Sequence, residues 1–247
     1  MANIQISVIN ASAALQDTEV QAVVPALQKQ VSRDFAPAWG FGADLTFVRR
    51  NAQPAASSWW LVILDNSDQA GALGYHDVTP EGLPLGKVFA TSDKQFGTNW
   101  TVTASHELLE MLADPDINLT VFIQPDATSG TLYAYEICDA CEADNNGYAI
   151  DGVTVSDFVY PAWFESFRAQ GSTQFDQQKQ IQQPFELLPG GYIGAFDVNS
   201  GTGWHQISAQ GAPLRYAMRP RLGSRRERRR TPRTQWIKSA LKRGQGA

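Results

Sequence analysis

Cysteine, histidine and methionine are scarce in this 247-residue chain, which has two, three and three of them. Two thiols cannot build a four-thiolate zinc site. No apolar run approaches the roughly 18 residues that span a bilayer as a helix, so no membrane-crossing segment is expected. The opening stretch, Met1-Ala-Asn-Ile-Gln-Ile-Ser-Val-Ile9, has neither a basic region nor an apolar h-region. That pattern predicts no secretory leader, hence a cytoplasmic protein or one packaged in a particle. Basic residues are also scarce over most of the length. Before residue 215 there are 8 Lys/Arg against 24 Asp/Glu, whereas residues 215–247 hold 12 Lys/Arg and one acid, Glu227. An acidic body therefore carries a strongly basic tail, and such asymmetry points the tail at a polyanion or an acidic surface.

What is present describes a folded protein. Hydrophobic residues make up 43% of the chain and there are seven tryptophans, enough for a sizeable core. Ile4 to Ile9 alternates apolar and polar residues as a half-buried strand does. Asp17 and Thr18 open a helical stretch to about Phe35, with Val20, Val23, Val24, Leu27 and Val31 at helical spacing and Pro25 expected to kink or shorten it. Ala43–Val48 and Trp59–Leu64 read as strands, the second apolar throughout and so buried on both faces. Residues 70–90, rich in Gly and Pro, suit an edge strand with an irregular loop.

The chemistry is concentrated in Thr103-Ala-Ser-His-Glu-Leu-Leu-Glu-Met-Leu-Ala-Asp-Pro115. On a helix, His106, Glu107, Glu110 and Asp114 fall in one polar sector of about 100°, and Leu108, Leu109, Met111 and Leu112 fill the opposite side. Pro115 ends the helix. His106 and Glu110, four apart, point the same way from adjacent turns, which is how a helix offers two ligands to one ion. The competing reading is an amphipathic helix whose charged face meets water.

His106-Glu107-Leu108-Leu109-Glu110 resembles the H-E-x-x-H signature of the zincin metallopeptidases, with glutamate in place of the second histidine. The resemblance implies a metal-dependent hydrolase, most naturally a peptidase. Glu107 would be the general base, and an edge strand above the helix would hold extended peptide substrate. A third ligand is needed. Glu136, 26 residues after Glu110, resembles the branch whose third ligand is a downstream glutamate; Asp116, ten after His106, resembles the branch that uses a tight turn, although Ala113 stands where that branch has glycine. Glu136 is preferred, with Asp139 as an additional ligand and Asp114 and Asp116 ranked lower. One divalent ion is expected, zinc by preference. A site this rich in carboxylates also suits calcium or manganese.

After Pro115 the chain turns strand-rich. Leu119–Ile123 and Thr131–Ile137 read as a hairpin, continuing into Tyr135-Glu-Ile-Cys-Asp-Ala-Cys-Glu142 with Glu136 and Cys138 on one strand face, unless this is a solvated acidic hairpin. Tyr148 to Val155 turns at Asp151-Gly152, Phe158–Phe164 is aromatic core, residues 177–183 form a surface loop, and strands and turns close the domain. Asp139 and Glu142 would raise the thiol pKa of the C-x-x-C pair, arguing against a thioredoxin-like role. His76 and His205 read as ordinary histidines, His76 being the better outside candidate because it lies in the loop before the helix.

The whole is expected to be a mixed α+β protein: a zincin-like globular domain over 1–218, antiparallel strands in its second half, and a basic arm over 219–247. Arg225, Arg226, Arg228, Arg229, Arg230 and Arg233 would bind nucleic acid phosphates or an acidic protein surface. The alternative to catalysis is a metal-stabilised structural protein, anchored by its arm to nucleic acid or a virus-like assembly, with further copies of the chain as partners.

Overall fold

A computed structural model describes residues 4–69, 72–79, 82–200 and 203–212. The basic arm and its six candidate arginines lie outside the described residues. The first half runs β1 (Ile4–Asn10), α1 (Asp17–Lys29), α2 (Ala36–Trp39), β2 (Ala43–Val48), β3 (Trp59–Leu64), β4 (Gly74–Val78), β5 (Pro84–Phe89), α3 (Ala90–Phe96) and α4 (Trp100–Ala113). The second half adds β6 (Thr120–Ile123), β7 (Thr131–Ala134), β8 (Tyr148–Ile150), β9 (Val153–Val155), β10 (Tyr192–Asp197) and β11 (Trp204–Ser208). The class is mixed α+β, as the sequence implied. No described helix is long and apolar enough to cross a membrane.

The first five strands form one sheet in the order β2-β1-β3-β5-β4. β1, β2, β3 and β5 are parallel, and β4 pairs antiparallel with β5 at the end of the sheet. In β3, Leu61 and Ile63 enter the main core with α1 and α4, while Trp60 and Val62 pack with Ile9, Val48 and Leu85 on the opposite face. An uninterrupted apolar strand is thereby buried on both faces.

α1 starts where the Glu19 carboxylate accepts the Gln16 N–H at 2.6 Å, satisfying an amide that has no partner in the first turn. Pro25 does not end it. The winding instead loosens to a π turn over Gln30–Phe35, continues as α2 and stops at Gly40. Gly40 takes the left-handed conformation, φ 81, that glycine tolerates at a helix end, so the helical stretch outruns its expected limit at Phe35. Within 70–90 the expected edge strand is present as β4, which pairs antiparallel with β5. The stretch also supplies a second strand that was not expected, β5, wholly buried between β3 and β4.

The second sheet is antiparallel in the order β11-β10-β7-β6. β8 and β9 form a separate hairpin on Asp151 (φ 51) and Gly152 (φ 86), the positive-φ pair that two-residue hairpins require. One continuous core joins the halves, running from Ile6 and Leu61 through Leu108 and Phe158 to Trp163, Phe175 and Ile193. The segment after β7 is not a strand. Regular pairing stops at Ala134, and Asp139–Cys141 winds into a single 3-10 turn.

Candidate metal centre

α4 begins at Asn99, whose side chain accepts the Thr101 N–H at 3.1 Å, and ends at Asp114 before Pro115. It packs against β3, β4 and β5. Every residue from Ala104 to Ala113 is buried, including His106, Glu107 and Glu110 at 7%, 5% and 3% exposure. The amphipathic-surface reading of this helix therefore fails: its polar sector faces into the protein. One glycine lets it lie this low: a Cβ on Gly74 of β4 would meet Thr103 Cγ2 at 2.7 Å and Glu107 Cγ and Oε1 at 2.8 Å. A Cβ on Gly86 of β5 would touch the helix only at an ordinary 3.7 Å, from Glu107 Cβ, its close neighbour being Leu61 Cδ1 at 2.9 Å.

The register pairs His76 with Gly86, and Gly86 with Leu61. His76 thus stands on the sheet face that α4 covers, because side chains alternate along a strand. From the other side comes the segment after β7. The Cys138 N–H donates to Glu110 Oε1 at 3.1 Å, tying that segment to α4 and presenting Glu136 and Asp139 beside it. The 3-10 turn is fixed from behind: Leu188 N–H donates to the Ala140 carbonyl at 3.0 Å, and a Cβ on Gly191 would fall 2.0 Å from the same oxygen. Glu136 and Asp139 are both buried, so the solvated acidic hairpin is excluded as well.

The resulting cluster contains two imidazoles and four carboxylates. His106 Nε2 lies 3.3 Å from Glu110 Oε2 and 3.4 Å from Asp139 Oδ1. His76 Nδ1 lies 3.6 Å from Glu110 Oε2 and 3.7 Å from Glu107 Oε2, and its Nε2 lies 3.6 Å from Glu136 Oε2. These separations exceed an ordinary N–H···O bond of about 2.9 Å. They approach the roughly 3.4 Å edge of a tetrahedron whose corners are about 2.1 Å from a central zinc ion. Two triads bring one ligand atom per residue within 4.8 Å of one another: His106, Glu110 and Asp139, and His76, Glu110 and Glu136.

The electrostatics follow from the crowding. Burial alone would lower the His106 pKa, but Glu110, helped by Asp139, outweighs it and holds the imidazole well above its ordinary value. Burial raises the Glu110 carboxyl, opposed by His106 and reinforced by Asp139. Such a cluster retains charge only where cations balance it, and its donor set of imidazole and carboxylate fits a divalent ion.

Of the ligands expected from sequence, His106, Glu110, Glu136 and Asp139 converge, but Glu136 joins His76, and Asp139 joins His106. Asp114 and Asp116 belong to neither triad. The Asp114 carboxylate instead accepts the Asn118 and Leu119 N–H groups at 3.0 and 3.1 Å, closing the turn after α4. His76 was undervalued as a loop residue. The signal that would have placed it is strand alternation in Gly74-Tyr-His-Asp-Val78, which puts the histidine and Gly74 on one face.

Both cysteines are free and buried. Burial pushes the Cys138 and Cys141 thiols well above their ordinary pKa, which removes the thiolate a redox motif needs. β4 ends the sheet, yet Tyr75 to Val78 are all buried, so the expected open edge for an extended peptide is covered. No family model, no curated protein and no solved structure matches this chain.

Proposed function

We propose that this protein is a metal-dependent hydrolase acting on peptide or related amide bonds, with its ion held by His106, Glu110 and Asp139. The reading is carried by His106 Nε2, which is 3.3 and 3.4 Å from two carboxylate oxygens on a helix where Glu107 is the next residue. A divalent ion bound there would polarise the scissile carbonyl and acidify the attacking water. Glu107 would take the proton from that water and pass it to the leaving amine. Gly74, having no side chain, leaves the space that the Glu107 carboxylate occupies over β4.

The test is a peptide library incubated with wild-type protein and with Glu107→Gln, each supplied with zinc, manganese or cobalt. Wild type should cleave. The variant should keep its metal and lose cleavage by orders of magnitude. Absence of cleavage by wild type with all three metals would overturn the assignment.

One observation favours a second reading. All the candidate ligands are buried, and closed sites are characteristic of structural ions. In that case the ion stabilises the fold, and the basic arm attaches the protein to nucleic acid or to a larger assembly.

A further inference from the structure

The two triads share one residue. Glu110 Oε2 is 3.3 Å from His106 Nε2 and 3.6 Å from His76 Nδ1, while Glu110 Oε1 accepts the Cys138 N–H. A carboxylate oxygen within 3.6 Å of two imidazoles, each of which has a further carboxylate within 3.6 Å, has the form of a bridge between two cations. Such pairs sit about 3.5–4 Å apart in two-metal sites. We infer that the cluster is a dinuclear centre: one ion on His106, Glu110 and Asp139, and a second on His76, Glu110 and Glu136. This rests on the proposal that the cluster binds metal at all, and adds the second ion, its ligands and the bridge.

The donor set is also larger than one ion takes up. Four carboxylates, Glu107, Glu110, Glu136 and Asp139, none more than 5% exposed, surround the two imidazoles, whereas a zinc ion is ordinarily held by three or four protein ligands.

The second triad is more open than the first, its carboxylates facing different nitrogens of one imidazole, but the histidine is held in place. His76 is 1% exposed and lies on β4, paired through β5 to the rest of the sheet. It turns Nε2 to Glu136 and Nδ1 to Glu107 and Glu110. With Nε2 on the ion beside Glu136, Nδ1 is left facing Glu107 at 3.7 Å, the usual arrangement that fixes the tautomer of a metal-bound histidine. One imidazole and two carboxylates per ion favour a first-row divalent ion such as zinc or manganese over magnesium or calcium, whose ligands are oxygen.

The experiment is metal content of the full chain, stripped, reloaded with zinc or manganese, desalted and measured by elemental analysis. Wild type should hold two ions per chain, and His76→Ala and Glu136→Gln one each. A wild type that holds a single ion, or variants that hold as many as wild type, would overturn the second ion and leave the one-ion proposal standing. A wild type that holds none would overturn both. Should the variants fail to fold, the electron paramagnetic resonance of manganese-loaded wild type decides. Exchange coupling between paired ions is expected, and an uncoupled six-line signal at full loading would refute the bridge.

Discussion

Gly74 and Glu107 are in contact across the β4–α4 interface, so closely that a Cβ on Gly74 would lie 2.8 Å from both Cγ and Oε1 of the glutamate. The same Cβ would meet Thr103 Cγ2 at 2.7 Å. A methyl group at this position is therefore predicted to displace the Glu107 carboxylate or lift α4. Gly74→Ala should cost about 1–3 kcal/mol, the usual range for overpacking, and should reduce hydrolysis in proportion to the shift of the base. Thermal melting and cleavage rate, measured on the same preparation, check this. Unchanged values for both would mean the interface yields without moving Glu107.

Metal removal should destabilise the fold, because the candidate ligands come from β4, α4 and the segment after β7, which the ion would clamp together. At free metal 100 times the dissociation constant, binding adds about 2.7 kcal/mol. For a chain of this size that corresponds to roughly 5–10 °C in melting temperature. Melting in the presence and absence of chelator measures it directly. Coincident curves would show that no ion stabilises the folded state.

A second buried acid predicts a pH dependence away from the metal cluster. Asp157 Oδ1 accepts the Phe158 and Gln178 N–H groups at 2.8 and 3.2 Å, and its carboxyl faces Asp176. Asp176 in turn accepts the Gln180 and Ile181 N–H groups, both at 3.0 Å. Burial, and then Asp176, push the Asp157 pKa up to about 9. The folded chain therefore keeps a proton that the unfolded chain releases near pH 4, the ordinary range for aspartate. This contribution to stability is complete below that pH and is lost as pH rises through about 9. Asp157→Asn fixes the hydrogen-bonding pattern of the protonated form. It should remove a slope of up to about 1.4 kcal/mol per pH unit between those limits. Denaturation followed from pH 5 to 9 tests it, and equal slopes for the two proteins would contradict the shared proton.

The basic arm has its own expected outcome. Full-length protein should bind DNA or RNA with little sequence preference, and affinity should fall steeply with salt as counterions are released. A chain ending at Met218 should lose that binding and keep its fold, since residues 1–214 are strongly acidic. Binding that survives truncation would assign the polyanion surface to the body instead.

The sequence by itself determined the elements whose signal is local. β3 was legible because an unbroken apolar run has to be buried on both faces. The β8–β9 turn was legible from Asp151-Gly152, and the end of α4 from Pro115. The i, i+4 pair of His106 and Glu110 followed from helix geometry alone. Which residues meet that pair was decided by tertiary structure. His76 reaches it because the hairpin inserts β5 beside β3 and leaves β4 at the end of the sheet, a pairing between segments that no local pattern encodes. Asp139 reaches it because the Ala140 carbonyl is held by Leu188 and lies against Gly191, about 50 residues away in sequence. Asp114, which the helical wheel placed with the ligands, is taken by the amides of the turn it begins. A periodic pattern reports the direction of a side chain from its own element. The strength of a buried charge cluster depends on what stands opposite, and that is fixed only when the elements pack.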